Sequence, residues 1–223
     1  MSAETTPGNG RRSGVLGLVA VLAVAAGIWF GVRFFTVEPG PAPLDLAVRS
    51  ATLLPQPKPL APFSLTDQDG RQLSLDDLRG RWTFVSFGYT SCPDICPTTM
   101  ATFDALDREI NPEGGQPEAR FLLVSVDPER DTPERLAQYV RWFNPGFLGA
   151  TGDHEQLRAL SKQLGVMYAR AEQQDTAMGY LVDHSGAILL LDPEGRLAAI
   201  FSAPHQVPAM AADFETISQY DRN

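Results

Sequence analysis

The longest apolar run in the chain lies at its beginning, where the 19 residues from Gly14 to Val32 carry no charge. At about 1.5 Å per residue, a helix of that length spans roughly the 30 Å hydrocarbon core of a bilayer, so a transmembrane anchor is expected over 14–33. Arg11 and Arg12 precede the run and only Arg33 closely follows it. The bias of positive flanks toward the cytoplasm then puts residues 1–13 inside and everything after the anchor outside. A cleaved signal peptide is the competing reading, because Ala23-Val24-Ala25 resembles a cleavage site, although apolar residues continue well beyond it. The seven prolines between residues 36 and 62 interrupt any apolar periodicity and predict an extended spacer over 34–58.

From residue 59 the pattern breaks into short alternating elements. Trp82-Thr83-Phe84-Val85-Ser86-Phe87 is aromatic and β-branched and predicts a strand over Trp82 to Tyr89. Met100, Phe103 and Leu106 recur at helical spacing behind Pro97, a suitable first helical residue, which predicts a helix from Pro97 to Ile110. Arg120 to Val126 reads as a buried strand, so strand, helix and strand make a parallel pair. Helices are expected at Pro133 to Phe143 and at His154 to Leu164. Strands come next at Tyr180 to Leu191 and Arg196 to Ser202 around the turn residues Asp192-Pro193-Glu194-Gly195, and a last helix at Pro208 to Tyr220. A parallel βαβ unit followed by an antiparallel hairpin and a helix is the order of a thioredoxin-like α/β fold. Residues 59–223 are the right length for one such domain.

Charge narrows the partners of that domain. It carries 13 Lys and Arg against 24 Asp and Glu, a formal charge of −11. A nucleic acid is a poor partner for it, since binding phosphates needs a basic face. A cation or a basic protein fits better.

The chemistry is expected at the chain's two cysteines, in Cys92-Pro93-Asp94-Ile95-Cys96-Pro97 between the first strand and the first helix. Three intervening residues let both sulfurs face one point, where they can share a metal ion or close a disulfide. A helix N-terminus favours negative charge and hence the thiolate that either role needs. Outside the cytoplasm two cysteines are by default a disulfide, but so short a loop constrains the unfolded chain little.

Three blocks resemble the Sco/SenC family: Phe87-Gly88-Tyr89-Thr90-Ser91-Cys92-Pro93-Asp94-Ile95-Cys96-Pro97, then Val126-Asp127-Pro128-Glu129-Arg130-Asp131-Thr132-Pro133-Glu134, then Asp183-His184-Ser185. The family comprises membrane-anchored, thioredoxin-like copper proteins that help assemble the copper centre of cytochrome c oxidase. The resemblance implies copper ligands at Cys92, Cys96 and His184. It implies as partners the copper-bearing oxidase subunit, with another copper chaperone or a thiol reductase in support. Two soft thiolates and an imidazole suit Cu(I) and also hold Cu(II), while zinc fits the same three ligands with a water in the fourth position. In the second block, Thr132, Pro133 and Glu134 read as a helix start. Asp127, at the end of a core strand, is a candidate to tune the site or contact a partner, and Tyr89 is a candidate wall of the site and equally a core aromatic. With no Arg- and Ser-rich transit peptide before the anchor, the expected location is a bacterial inner membrane with the domain in the periplasm.

Two other functions compete. Thiol-disulfide exchange, as a reductase of the oxidase subunit or of another exported protein, needs the same cysteine pair. Typical oxidoreductases of this fold, however, space their cysteines by two residues and face them with a cis-proline loop. Peroxide reduction of the peroxiredoxin kind calls for Thr or Ser three residues before the reactive cysteine, where this chain has Tyr89.

Overall fold

The computed structural model describes residues 22–27, 29–30, 46–111, 118–171 and 180–221. The chain divides into two units, Met1–Ala42 and Pro43–Asn223. In the first unit, residues 22–27 and 29–30 are helical. The rest of the anchor expected over 14–33, residues 1–13 before it and the first part of the spacer lie outside the described residues. Among those described, no helix is long and apolar enough to cross a membrane.

The second unit is built on an eight-stranded sheet. In chain order its strands are β1 (Ala51–Pro59), β2 (Ser64–Asp67), β3 (Gln72–Ser74), β4 (Trp82–Gly88), β5 (Ala119–Ser125), β6 (Leu148–Thr151), β9 (Ile188–Leu191) and β10 (Arg196–Phe201). They lie in the spatial order β1-β10-β9-β4-β5-β6-β2-β3. A separate two-stranded ribbon pairs β7 (Tyr168–Arg170) with β8 (Val182–His184). The described helices are α1 (Leu75–Leu78), α2 (Ile95–Ile110), α3 (Pro133–Phe143), α4 (His154–Leu164) and α5 (Val207–Asp221). The central pair β4 and β5 is parallel, with Trp82 opposite Ala119 and Gly88 opposite Ser125, and β9 runs antiparallel on the other side of β4. This is the thioredoxin-like α/β arrangement that the element order predicts.

Period-two alternation sends the central strands into two cores. Phe84, Phe121 and Leu123 face one side with Phe103 of α2 and Phe214 of α5, whereas Val85, Phe87, Leu122 and Val124 face the other with Leu157 and Leu160 of α4. With both faces covered, β4 and β5 can be almost wholly apolar. Thr132 caps α3 by accepting from the Arg135 N–H, and Pro133 begins the helix. Asp153 and Gln156 form a capping box on α4, and Gly165 ends that helix in the left-handed region at φ 71°.

Two sequence boundaries need correction. Ala51–Pro59, read as the end of the spacer apart from its last residue, is an edge strand paired with β10, and its register is irregular between Leu53 and Lys58. Prolines deny a sheet their N–H groups, so Pro55, Pro57 and Pro59 are tolerated only because β1 has a neighbour on one side. The segment Tyr180 to Leu191 is two strands. Ser185, Gly186 and Ala187 interrupt it, which leaves His184 in the ribbon and Ile188 in the main sheet. Strands β2, β3, β6 and β7 have three or four residues each, too short to leave a readable alternation.

Asp213 of α5 fastens the beginning of β1. It accepts from the backbone N–H of Arg49, Ser50 and Ala51 and from the Ser50 hydroxyl, all at 2.7–2.8 Å. Burial pushes its pKa up, but these bonds outweigh burial and hold the carboxyl below its ordinary value. A depressed folded-state pKa gives stability that is complete above the unfolded value of about 3.9 and is lost as pH falls through the folded value. Asp213→Asn is therefore expected to cost about 1–2 kcal/mol at pH 7. That deficit should shrink as unfolding is measured at successively lower pH below about 4, and a deficit independent of pH would contradict this.

Candidate metal centre

Strand β4 ends at Gly88, at the carboxyl edge of the sheet, and Tyr89 to Asp94 form the loop into α2. The Cys92 N–H donates to the Tyr89 carbonyl at 3.2 Å and draws the loop into a turn. The helix begins at Ile95, two residues earlier than the pattern of Pro97 suggests, so Cys96 lies within its first turn. Cys92 is 8 % exposed and Cys96 2 %. Gly88 makes room for them, because a Cβ on that residue would stand 2.7 Å from the Cys96 sulfur.

The third group arrives from the ribbon. His184 lies in β8 opposite Tyr168 of β7, and its Nε2 is 3.2 Å from the Cys96 Sγ. Its Nδ1 lies 3.2 Å from the Ser185 carbonyl, so a proton there has an acceptor and the Nε2 lone pair is left facing the sulfurs. The two Sγ atoms and a ring nitrogen of His184 lie within 4.8 Å of one another. A metal ion at about 2.3 Å from sulfur and about 2.0 Å from nitrogen keeps such atoms roughly 3–4.5 Å apart. The donor set thus fits a soft or borderline ion with small side-chain adjustments.

The thiols differ sharply. The hydrogen bond from Cys96 brings the Cys92 pKa down to about 3; burial opposes this, while the backbone N–H groups of Asp94 and Cys96 support it. The same bond, from the donor's side, and burial push Cys96 well above the ordinary thiol range. The metal-free pair consequently holds one proton between two sulfurs, and a bound cation would take its place.

Around these three groups stand Tyr89 from the first sequence block and Asp127, Arg130 and Asp131 from the second. Tyr89 is both wall and core. It is buried, its ring meets His184 edge to face at 5.8 Å, and its hydroxyl accepts from the Val182 N–H at 3.2 Å, tying β8 to the cysteine loop. Asp127 is buried and reaches the site only indirectly. It accepts from Arg130 and from the Tyr180 hydroxyl, and the Arg130 guanidinium lies 3.8 Å from the Tyr180 ring centre and 5.5 Å from that of Tyr89. Asp131 holds the cysteine loop itself. It accepts from the Thr90 N–H at 2.9 Å, the Thr90 hydroxyl at 2.6 Å and the Ser125 hydroxyl at 2.6 Å, while Arg135 donates to the hydroxyls of Thr90 and Ser91. Arg130, Arg135 and Tyr180 were not singled out from the sequence. Thr132, Pro133 and Glu134 indicate a helix start but give no sign of the contacts that neighbouring Asp131 and Arg135 make with the cysteine loop. His154 lies away from the cluster, 3.4 Å from Glu129.

A family model described as SCO1/SenC matches residues 53–219. The mitochondrial SCO2 homolog of Bos taurus is 36% identical over 195 residues, which cover 87% of this chain and 71% of that protein. Among solved structures, Arabidopsis thaliana ScoI with copper bound superposes with a TM-score of 0.66 at 32% identity, covering 73% of this chain and 98% of that one. The apo Sco1 protein of Thermus thermophilus gives a TM-score of 0.66 at 32% identity, covering 77% and 98%. The family match spans most of the second unit, including all three blocks, and the chain belongs to the SCO1/SenC family.

Proposed function

We propose that the chain is a copper chaperone that holds one copper ion through Cys92, Cys96 and His184 and delivers it to the copper-bearing subunit of cytochrome c oxidase. The observation that carries this reading is the meeting of two thiols and one imidazole, from segments 88 residues apart in sequence, within 4.8 Å. Two thiolates favour Cu(I), the imidazole also accommodates Cu(II), and three protein ligands leave a position through which a recipient's ligand can enter. The copper-bound relative from Arabidopsis supports the choice of copper over zinc. Residues 14–33 anchor the domain to a bacterial inner membrane and the proline-rich residues after them hold it away on the periplasmic side. The N-terminus is cytoplasmic in this arrangement.

The test is transfer. Copper-loaded chain mixed with the copper-free oxidase subunit should lose one equivalent to it, followed by the recipient's own absorption. Copper that stays with the donor, or that moves only by way of free ion trapped by a chelator, would contradict the proposal.

The unequal thiols favour a second use of the same site. The Cys92 thiolate can attack a disulfide of the recipient and Cys96 can then resolve the mixed disulfide. The recipient leaves with two thiols, Cys92 and Cys96 are left as a disulfide, and any copper they held is released. An external thiol reductase would restore the dithiol.

A further inference from the structure

The turn after His184 is fastened at each of its residues. The Ser185 N–H donates to the Met167 carbonyl at 3.2 Å, and the Ser185 hydroxyl accepts from the Ala187 N–H at 3.2 Å. The Ser185 carbonyl is the group beside His184 Nδ1. Gly186 comes next in the turn, and glycine is the residue type least able to hold a peptide plane by itself. Its carbonyl lies 2.8 Å from Nε2 of His205, which comes from the connection between β10 and α5. A carbonyl only accepts, so the Nε2 of His205 carries a proton. The other ring nitrogen, Nδ1, is buried and has no hydrogen-bond partner among the described residues. A ring kept in place with one nitrogen unsatisfied is there for the contact that its other nitrogen makes.

We propose that His205 is a positioning residue for His184: by holding the Gly186 carbonyl it fixes the turn whose preceding carbonyl orients the His184 imidazole toward Cys92 and Cys96. The proposal rests on the copper reading above for its importance, but not for its geometry. The Met167 contact restrains the turn on one side of the Ser185 carbonyl and His205 restrains it on the other. Without His205, rotation about Gly186 swings the Ser185 carbonyl away from Nδ1, and the imidazole loses its preferred orientation.

The experiment compares the full-length chain in mild detergent with His205→Ala and with His205→Gln, which retains an N–H donor of similar reach. Copper affinity, the nitrogen hyperfine pattern of Cu(II) in EPR, and the ring nitrogen NMR signals of His184 in the metal-free protein are the readouts. His205→Ala should weaken copper about tenfold, alter the hyperfine pattern and shift the His184 ring signals, and His205→Gln should recover most of each. If His205→Ala lowers only the melting temperature while all three readouts stay at wild-type values, the role is merely structural and the proposal is overturned. A wild-type chain that binds no copper would sink the chaperone reading, and the His184 ring signals would still decide on His205.

Discussion

His184→Ala is expected to weaken copper binding by at least about 100-fold, or about 2.7 kcal/mol, while leaving the fold in place. Losing one of three donors leaves a two-sulfur site, and water is a poor replacement for imidazole toward a soft ion. Changes to groups that merely orient a ligand already cost about 10–100-fold, so removal of the ligand itself belongs at or above the upper end. The fold should survive because His184 is only partly buried, in a three-residue strand outside the main sheet. Isothermal titration with copper, paired with thermal unfolding of the metal-free variant, separates the two effects. Binding indifferent to His184 would move the assignment toward a dithiol that works only by disulfide exchange.

Gly88→Ala tests the same site through the backbone. The added Cβ would stand 2.7 Å from the Cys96 sulfur and 3.2 Å from Leu123 Cδ1. Gly88 is the last residue of β4, is buried, and pairs with Ser125 of β5, so its backbone has little freedom to retreat. Relief must come from Cys96, whose sulfur would turn away from His184. The expected cost is about 1–3 kcal/mol of stability from overpacking, together with a loss of copper affinity of about tenfold or more. The two losses differ in origin, which Gly149→Ala makes visible as a control. There a Cβ would meet Val140 Cγ1 at 3.1 Å and Leu136 Cβ at 3.3 Å, so stability should fall while copper affinity stays. Equal copper affinity in Gly88→Ala and the wild type would show that the sulfur does not have to sit where it does.

The range of each interaction decided whether the sequence disclosed it. The central strands were legible because burial on both faces demands near-continuous apolar residues, as in Trp82 to Gly88 and Ala119 to Ser125. The helix start at Thr132 was legible because capping acts over three residues. The proposed ligands Cys92 and Cys96 stood out as the chain's only thiols, but His184 was separable from His154 and His205 only through resemblance to a family. No local pattern brings residue 184 to residue 96, since the pairing of β7 with β8 and the Tyr89 hydroxyl do so. The proline-rich β1 hid its pairing because the same prolines that suit an extended spacer are tolerated at a sheet edge. Thr132, Pro133 and Glu134 read as a helix start, whereas the contacts of neighbouring Asp131 with Thr90 cross 41 positions of sequence.

X-ray absorption at the copper edge, on the full-length chain reduced and loaded with one equivalent of Cu(I), reads the copper donor set itself. Two sulfurs and one imidazole nitrogen are expected around the copper, with one sulfur lost in Cys96→Ser and the imidazole lost in His184→Ala. A shell of oxygen and nitrogen alone, or one unchanged by both substitutions, would contradict this.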